Sequence, residues 1–221
     1  MSASRYGGGV ADCDVLIIGG GPAGLYAAYY AGFRGFSVAI VDALPELGGQ
    51  ISAMYPEKNI FDVAGFPAVK GRDLVAGLTE QAMRFSPTLL LGQRAEQLTT
   101  SEDGPVTVTT SGGHTIRAKA AIITGGIGSF TPRELPTGTD YVGRGLVYFV
   151  PALEQHRGKD VVIVGGGDSA FDWALSLHPI AKSVTLVHRR DAFRAHAATV
   201  DEVRRLGIEL ITSAEVTAVT G

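Results

Sequence analysis

The sequence predicts an α/β protein of two three-layer domains, each with a parallel sheet and a small antiparallel β-meander. Three observations lead there. The chain has 221 residues, 45% hydrophobic and 19% charged, which buries a substantial core and is long for one small domain. An apolar run, a glycine-rich turn, a helical stretch and a second apolar run follow one another twice. The 30 glycines cluster at the ends of apolar runs, where backbone must approach something closely, and form no low-complexity tract.

After a Ser/Gly-rich start over residues 1–9, residues 14–18 read as a strand that ends in Gly19-Gly20-Gly21-Pro22-Ala23-Gly24. Residues 25–34 are rich in Ala and Tyr and read as a helix, and 37–41 as a second strand. Continuous apolar strands of this kind belong to a parallel sheet covered on both faces. Residues 72–85 are expected to be helical, and the Thr/Val alternation of 106–110 followed by 114–117 to be an antiparallel hairpin. A buried strand over 120–124 then ends in Gly125-Gly126. The second copy of the pattern is a strand over 160–164, the turn Gly165-Gly166-Gly167-Asp168-Ser169-Ala170, a helix over 171–177 and a strand over 183–187. Residues 130–145 have the Pro and Gly content of a linker, so the domains are expected at 1–126 and 127–221.

Composition narrows the partners. A net charge of −3, with basic residues scattered apart from a cluster near Arg190, argues against a nucleic-acid surface. Cys13 is the only cysteine, which excludes an internal disulfide, a CxxC pair and a cysteine-rich metal site and fits a reducing cytoplasm. It reads as a small buried hydrophobe ahead of the first strand. No stretch reaches the roughly 18 apolar residues of a membrane helix, and the N-terminus has no signal-type apolar run. A cytoplasmic protein with no membrane partner is expected.

Both turns match the dinucleotide-binding fingerprint, which is weak alone and stronger between a strand and a helix. Gly19, Gly21 and Gly24 supply a tight turn, room for a pyrophosphate against bare backbone, and close helix–strand packing, with the helix N-terminus facing the anion. Asp42 lies 18 residues beyond Gly24, where a carboxylate accepts hydrogen bonds from a ribose whose 2′-hydroxyl is free. In the second copy Gly165, Gly167 and Ala170 hold the fingerprint positions, and they and Asp168 and Ser169 between them are expected to bind the cofactor. The residue 18 beyond Ala170 is His188, followed by Arg189, Arg190 and, four further on, Arg194. A carboxylate there would repel a 2′-phosphate, whereas guanidinium groups bind its oxygens bidentately. The second site is therefore read as one for NADP(H). His188 has two open readings, a nucleotide neighbour or a spacer. Two sites of opposite ribose chemistry imply one resident and one exchanging cofactor, and FAD is the natural resident because a flavin accepts a hydride and releases electrons singly or in pairs. These domains are Rossmann-like.

Leu47-Gly48-Gly49-Gln50, Ala53-Met54-Tyr55-Pro56-Glu57-Lys58 and Asp62-Val63-Ala64-Gly65-Phe66-Pro67, with the Gly-Gly-Gly-Asp-Ser-Ala and His-Arg-Arg-Asp-Ala-Phe-Arg-Ala-His segments, closely resemble the thioredoxin-reductase-like ferredoxin–NADP reductases over nearly the whole chain. The resemblance implies that Ala23 and its glycine neighbours meet the FAD pyrophosphate, Asp42 the adenosine ribose, Gln50 and Tyr55 the flavin side, Ala95 the adenine through its backbone, and Phe130 the flavin ring region. Tyr55 and Phe130 also read as core aromatics and Ala95 as a strand end. The partner implied is ferredoxin or flavodoxin, and the assembly a homodimer. Thioredoxin reductases carry a CxxC shortly before the second fingerprint; residues 143–152 here hold no cysteine, and disulfide reduction needs a thiolate pair. Members of the resembling family return to the FAD domain and close the flavin site with a Gly-Asp element. Here Gly-Asp occurs only at Gly167-Asp168, so a truncated chain and a degenerate member are both expected readings. Reduction of another acceptor, such as a quinone or free flavin, and a non-catalytic nucleotide-binding fragment are the alternative functions. No side chain is assigned as nucleophile, acid, base or metal ligand.

Overall fold

Successive residues of a strand point to opposite faces of its sheet, and Leu16 and Ile17 of strand β1 (Val10–Ile18) are both 0% exposed. At β1 the first sheet is thus covered on both sides, as a continuous apolar strand requires. The computed structural model describes residues 10–101, 104–128 and 134–220, and the chain divides into two units, Met1–Thr131 and Pro132–Gly221.

In the first unit, β1 leads into helix α1 (Pro22–Phe33) and strand β2 (Val38–Asp42). A short helix α2 (Gly49–Met54), a two-stranded antiparallel ribbon of β3 (Asn59–Ile60) and β4 (Val69–Lys70), and helix α3 (Gly71–Met83) follow. Strands β5 (Thr88–Leu91), β6 (Ala95–Thr99), β7 (Val106–Thr110) and β8 (Thr115–Ile123) complete it. The sheet order is β5-β2-β1-β8-β7-β6. Its first four strands are parallel, and β7 and β6 continue it antiparallel. On one face Ile17, Val38 and Ile40 pack with Leu25 and Ala28 of α1 and Ala82 of α3. On the other, Leu16, Ala39, Val41 and Leu90 share a core with Val108, Ile116 and Ala118 of the antiparallel extension.

The segments expected separately at 114–117 and 120–124 form one strand. The first half of β8 pairs with both β7 and β1, its second half with β1 alone among the described residues. Burial of that second half is corrected accordingly: Ile122 and Ile123 are 41% and 70% exposed.

The second unit repeats the alternation in shorter form: β9 (Asp160–Val164), α4 (Asp168–Leu177), β10 (Ser183–Val187), α5 (Ala197–Arg205) and β11 (Glu209–Ile211). The three strands are parallel in the order β11-β10-β9. Phe171, Ala174 and Leu177 of α4, Val200 and Val203 of α5, and Val184 and Leu186 of β10 form its core. That core lies on one face of the sheet; Val162 and Val164 are 62% and 45% exposed. No helix among the described residues is long and apolar enough to cross a membrane.

Candidate functional site

The β1–α1 turn of the first unit is built from bare backbone. A Cβ on Gly24 would strike the carbonyl oxygen of Gly19 and the Thr124 hydroxyl, so only glycine lets α1 start this close to the sheet. Gly21 is the N-cap residue, Pro22 occupies the first turn, and no side chain caps the helix. Proline's missing N–H costs nothing there, and the first-turn N–H groups of Ala23 and Gly24 remain available to an anion. A Cβ on Gly49, at φ +58°, would come within 2.9 Å of the Gly21 Cα, and Gly48 N donates to Gly20 O at 2.8 Å. The Leu47–Gln50 turn is thereby laid against the fingerprint turn.

Asp42 ends β2 beside the same turn. Its Oδ2 accepts from Gly20 N at 2.5 Å and its Oδ1 from Leu44 N at 2.7 Å. A carboxylate has about four lone-pair sites, so roughly two remain for a ribose diol, and the two backbone bonds fix their direction. Gln93 N donates to Asp42 O at 3.0 Å, and Ala95, two residues on, starts β6. Gln50 Nε2 lies 3.3 Å from where a Cβ of Gly126 would stand, so its amide faces the turn after β8. Tyr55 is half-buried at the end of α2, with Lys58 Nζ 5.5 Å from its ring centroid. Phe130 lies outside the described residues. Thr124, whose hydroxyl reaches Gly19 O at 2.8 Å, and Gln93 were not singled out from sequence. A Thr after an apolar strand carries no motif, and the Gln93 contact is made by backbone alone. The bare-backbone cradle, the open helix N-terminus and the oriented carboxylate fit FAD.

In the second unit Gly165, Gly166 and Gly167 connect β9 to α4, with Gly167 as the uncapped N-cap residue. Ala170 Cβ lies 2.9 Å from the place of a Cβ on Gly165, so a small residue at the third fingerprint position fits without a glycine. Ser169 and Asp168 are exposed on the first turn of α4. The His188 ring packs against Gly166, where a Cβ would collide with it, and against Phe193 at 5.6 Å. Arg189, Arg190 and Arg194 are exposed, and among the described residues none forms an ion pair. All three line, with the glycine turn and His188, one cleft of about 740 Å³. An unpaired guanidinium cluster at the mouth of a glycine turn fits a nucleotide that carries an extra phosphate. A second cavity, about 450 Å³, runs along α1 between Tyr26, Tyr30, Phe36 and Ile122; its walls are apolar and none of the site residues lines it.

The model of the family described as pyridine nucleotide-disulphide oxidoreductase matches residues 13–221. The chain is 63% identical over 207 residues to a ferredoxin–NADP reductase of Frankia alni, covering 94% of this chain and 64% of that one. It is 61% identical to a ferredoxin–NADP reductase of Saccharopolyspora erythraea, with 95% and 64% covered. The chain thus spans about 64% of the length of these curated relatives. Among solved structures, thioredoxin reductase of T. acidophilum superposes with a TM-score of 0.78 at 30% identity, over 95% of this chain and 67% of that one. Thioredoxin reductase of Lactococcus lactis gives 0.76 at 26%, with 95% and 67% covered.

Proposed function

The chain belongs to the pyridine nucleotide-disulphide oxidoreductase family, and from that premise we propose that it is the FAD- and NADP(H)-binding part of a reductase that exchanges electrons with ferredoxin or flavodoxin. Residues 1–126 are the FAD-binding domain and 127–221 the NADP(H)-binding domain. One observation carries the reading. The end of β2 presents the carboxylate of Asp42, whereas the equivalent end of β10 opens into Arg189, Arg190 and Arg194, exposed and without an ion pair among the described residues, beside a glycine turn.

In the first domain the turn from Gly19 to Gly24 receives the FAD pyrophosphate through backbone N–H groups, and Asp42 accepts from the ribose. Gln50, Tyr55 and Ala95 are assigned to that site, and so is Phe130, which lies outside the described residues. FAD, when bound, supplies a centre that takes a hydride and gives up electrons one at a time. In the second domain Gly165, Gly167, Ser169 and Ala170 form the pyrophosphate turn and the three arginines hold the 2′-phosphate, with His188 as the packed floor of the cleft. No side chain needs to act as acid, base or nucleophile.

Each charge-assisted contact to a 2′-phosphate stabilises by roughly 1.5–3 kcal/mol, about ten- to a hundredfold in affinity. Arg189→Ala or Arg190→Ala is expected to raise the KM for NADPH by that order and that for NADH little; equal loss toward both would refute the assignment. The acceptor is tested by offering ferredoxin, thioredoxin and a quinone side by side in an NADPH-driven assay. Residues 143–152, where thioredoxin reductases carry their CxxC, hold no cysteine, so the thiolate pair that disulfide reduction needs is missing at that place and thioredoxin is expected to be inert. Thioredoxin reduction that survives Cys13→Ser overturns the mechanism, and turnover with quinone alone refutes the ferredoxin assignment.

A further inference from the structure

Asp168 stands in an awkward place for a nucleotide contact. It opens α4, where the free N–H groups and the helix dipole favour an incoming anion, and a carboxylate aimed at that anion would repel it. Its side chain caps no N–H of its own helix. Oδ1 instead accepts from the backbone N–H of His196 at 2.9 Å, and His196 is the N-cap residue of α5. Two bonds run beside this one: Arg194 N and Ala195 N donate to Gly166 O at 2.7 and 3.2 Å. Three consecutive amides at the end of the arginine-bearing loop are therefore tied down, two to the glycine turn and the third to the first residue of α4. The start of that loop is anchored separately, with His188 N donating to Ile211 O at 2.8 Å and Ala214 N to His188 O at 3.1 Å.

We propose that Asp168 is a positioning residue, a latch that holds the arginine loop against the glycine turn and so sets the preference for NADP(H) over NAD(H) without contacting the nucleotide. The inference rests on the reading of Arg189, Arg190 and Arg194 as the 2′-phosphate site. A loop already ordered before binding does not lose its freedom when the phosphate arrives, and affinity rises by that saving. The benefit falls on the nucleotide that uses the arginines. NADP+ gains from the ordered loop, whereas NAD+ meets chiefly the glycine turn and the α4 N-terminus, which do not depend on the latch.

Substitution separates this role from a direct electrostatic one. Asparagine removes the charge of Asp168 and keeps an oxygen that accepts from His196 N; alanine removes both. The protein and its variants are titrated calorimetrically with NADP+ and NAD+, and backbone hydrogen exchange over residues 193–197 is followed in the nucleotide-free state. Loss of one charge-assisted bond on an exposed loop is expected to weaken NADP+ binding by Asp168→Ala about three- to tenfold, NAD+ binding by less than about twofold, and to accelerate exchange at His196. Asp168→Asn is expected to restore all three readings. Asp168→Ser, whose hydroxyl is too short to span to His196, repeats the alanine result should that variant unfold. Equal behaviour of the Asn and Ala variants, equal loss for both nucleotides, or unchanged exchange at His196 overturns the latch. Arg189→Ala and Arg190→Ala run in parallel: if they weaken NADP+ while Asp168→Ala does not, the latch alone is refuted, and if they too are without effect, the 2′-phosphate reading falls with it.

Discussion

At Gly24 the side chain of any other residue would meet the carbonyl oxygen of Gly19 and the Thr124 hydroxyl, both held by the sheet. Backbone cannot move aside as a flexible side chain can, so Gly24→Ala is expected to cost about 2–3 kcal/mol and to lift the N-terminus of α1 away from the turn. Urea unfolding gives the first quantity and FAD binding the second. A variant with unchanged midpoint and full FAD binding contradicts the close approach. His188 shows the same logic from the other side: its ring fills the space that a Cβ on Gly166 would need. Packing therefore constrains that residue whatever else it does.

At the scale of elements, the entry to β2 is tied to β1 and β8 by Asp14. Its carboxylate accepts from Lys119 Nζ at 2.7 Å and from the hydroxyl and N–H of Ser37 at 2.7 and 2.8 Å. The Lys119 bond first, then Ser37, hold its carboxyl well below the usual range. A group whose pKa is lowered by folding contributes stability above its unfolded value, about 3.9, and loses it as pH falls toward the lower folded value. Asp14→Asn is therefore expected to lower the urea midpoint at neutral pH and to bring it toward that of the parent protein below about pH 4. A constant gap between the two across the whole pH range would show that the bonds matter through geometry rather than charge.

For the whole molecule, each unit has its own core and its own glycine turn. A ligand that binds only the folded state stabilises what it contacts by about 2.7 kcal/mol at a hundred times its Kd. NADP+ is expected to slow hydrogen exchange at Leu186 and Val203, in β10 and α5, and FAD to slow it at Leu16 and Ile17 of β1. Protection of β1 by NADP+ in place of β10 would reverse the assignment of the two turns.

The two strand–turn–helix–strand units, the α/β class and the contrast between Asp42 and the arginines were all legible in the sequence, because a βαβ unit is local. A turn, one helix and one strand return the chain to the same end of the sheet after a near-constant number of residues, so the offset of 18 from each fingerprint carried chemical meaning. Helix α5 was missed because only Val200 and Val203 face the core, too narrow a stripe to read as a period, and the strands β5, β6 and β11, of four, five and three residues, are too short for an alternation to show. Contacts between segments far apart in the chain were decided by tertiary packing alone. These are the Leu47–Gln50 turn against Gly20 and Gly21, the Gln93 bond to Asp42 O, and the Asp168 bond to His196 N. Each is made by backbone or by a residue type that fits many surroundings, and a backbone hydrogen bond leaves no mark on the identity of the residue that makes it.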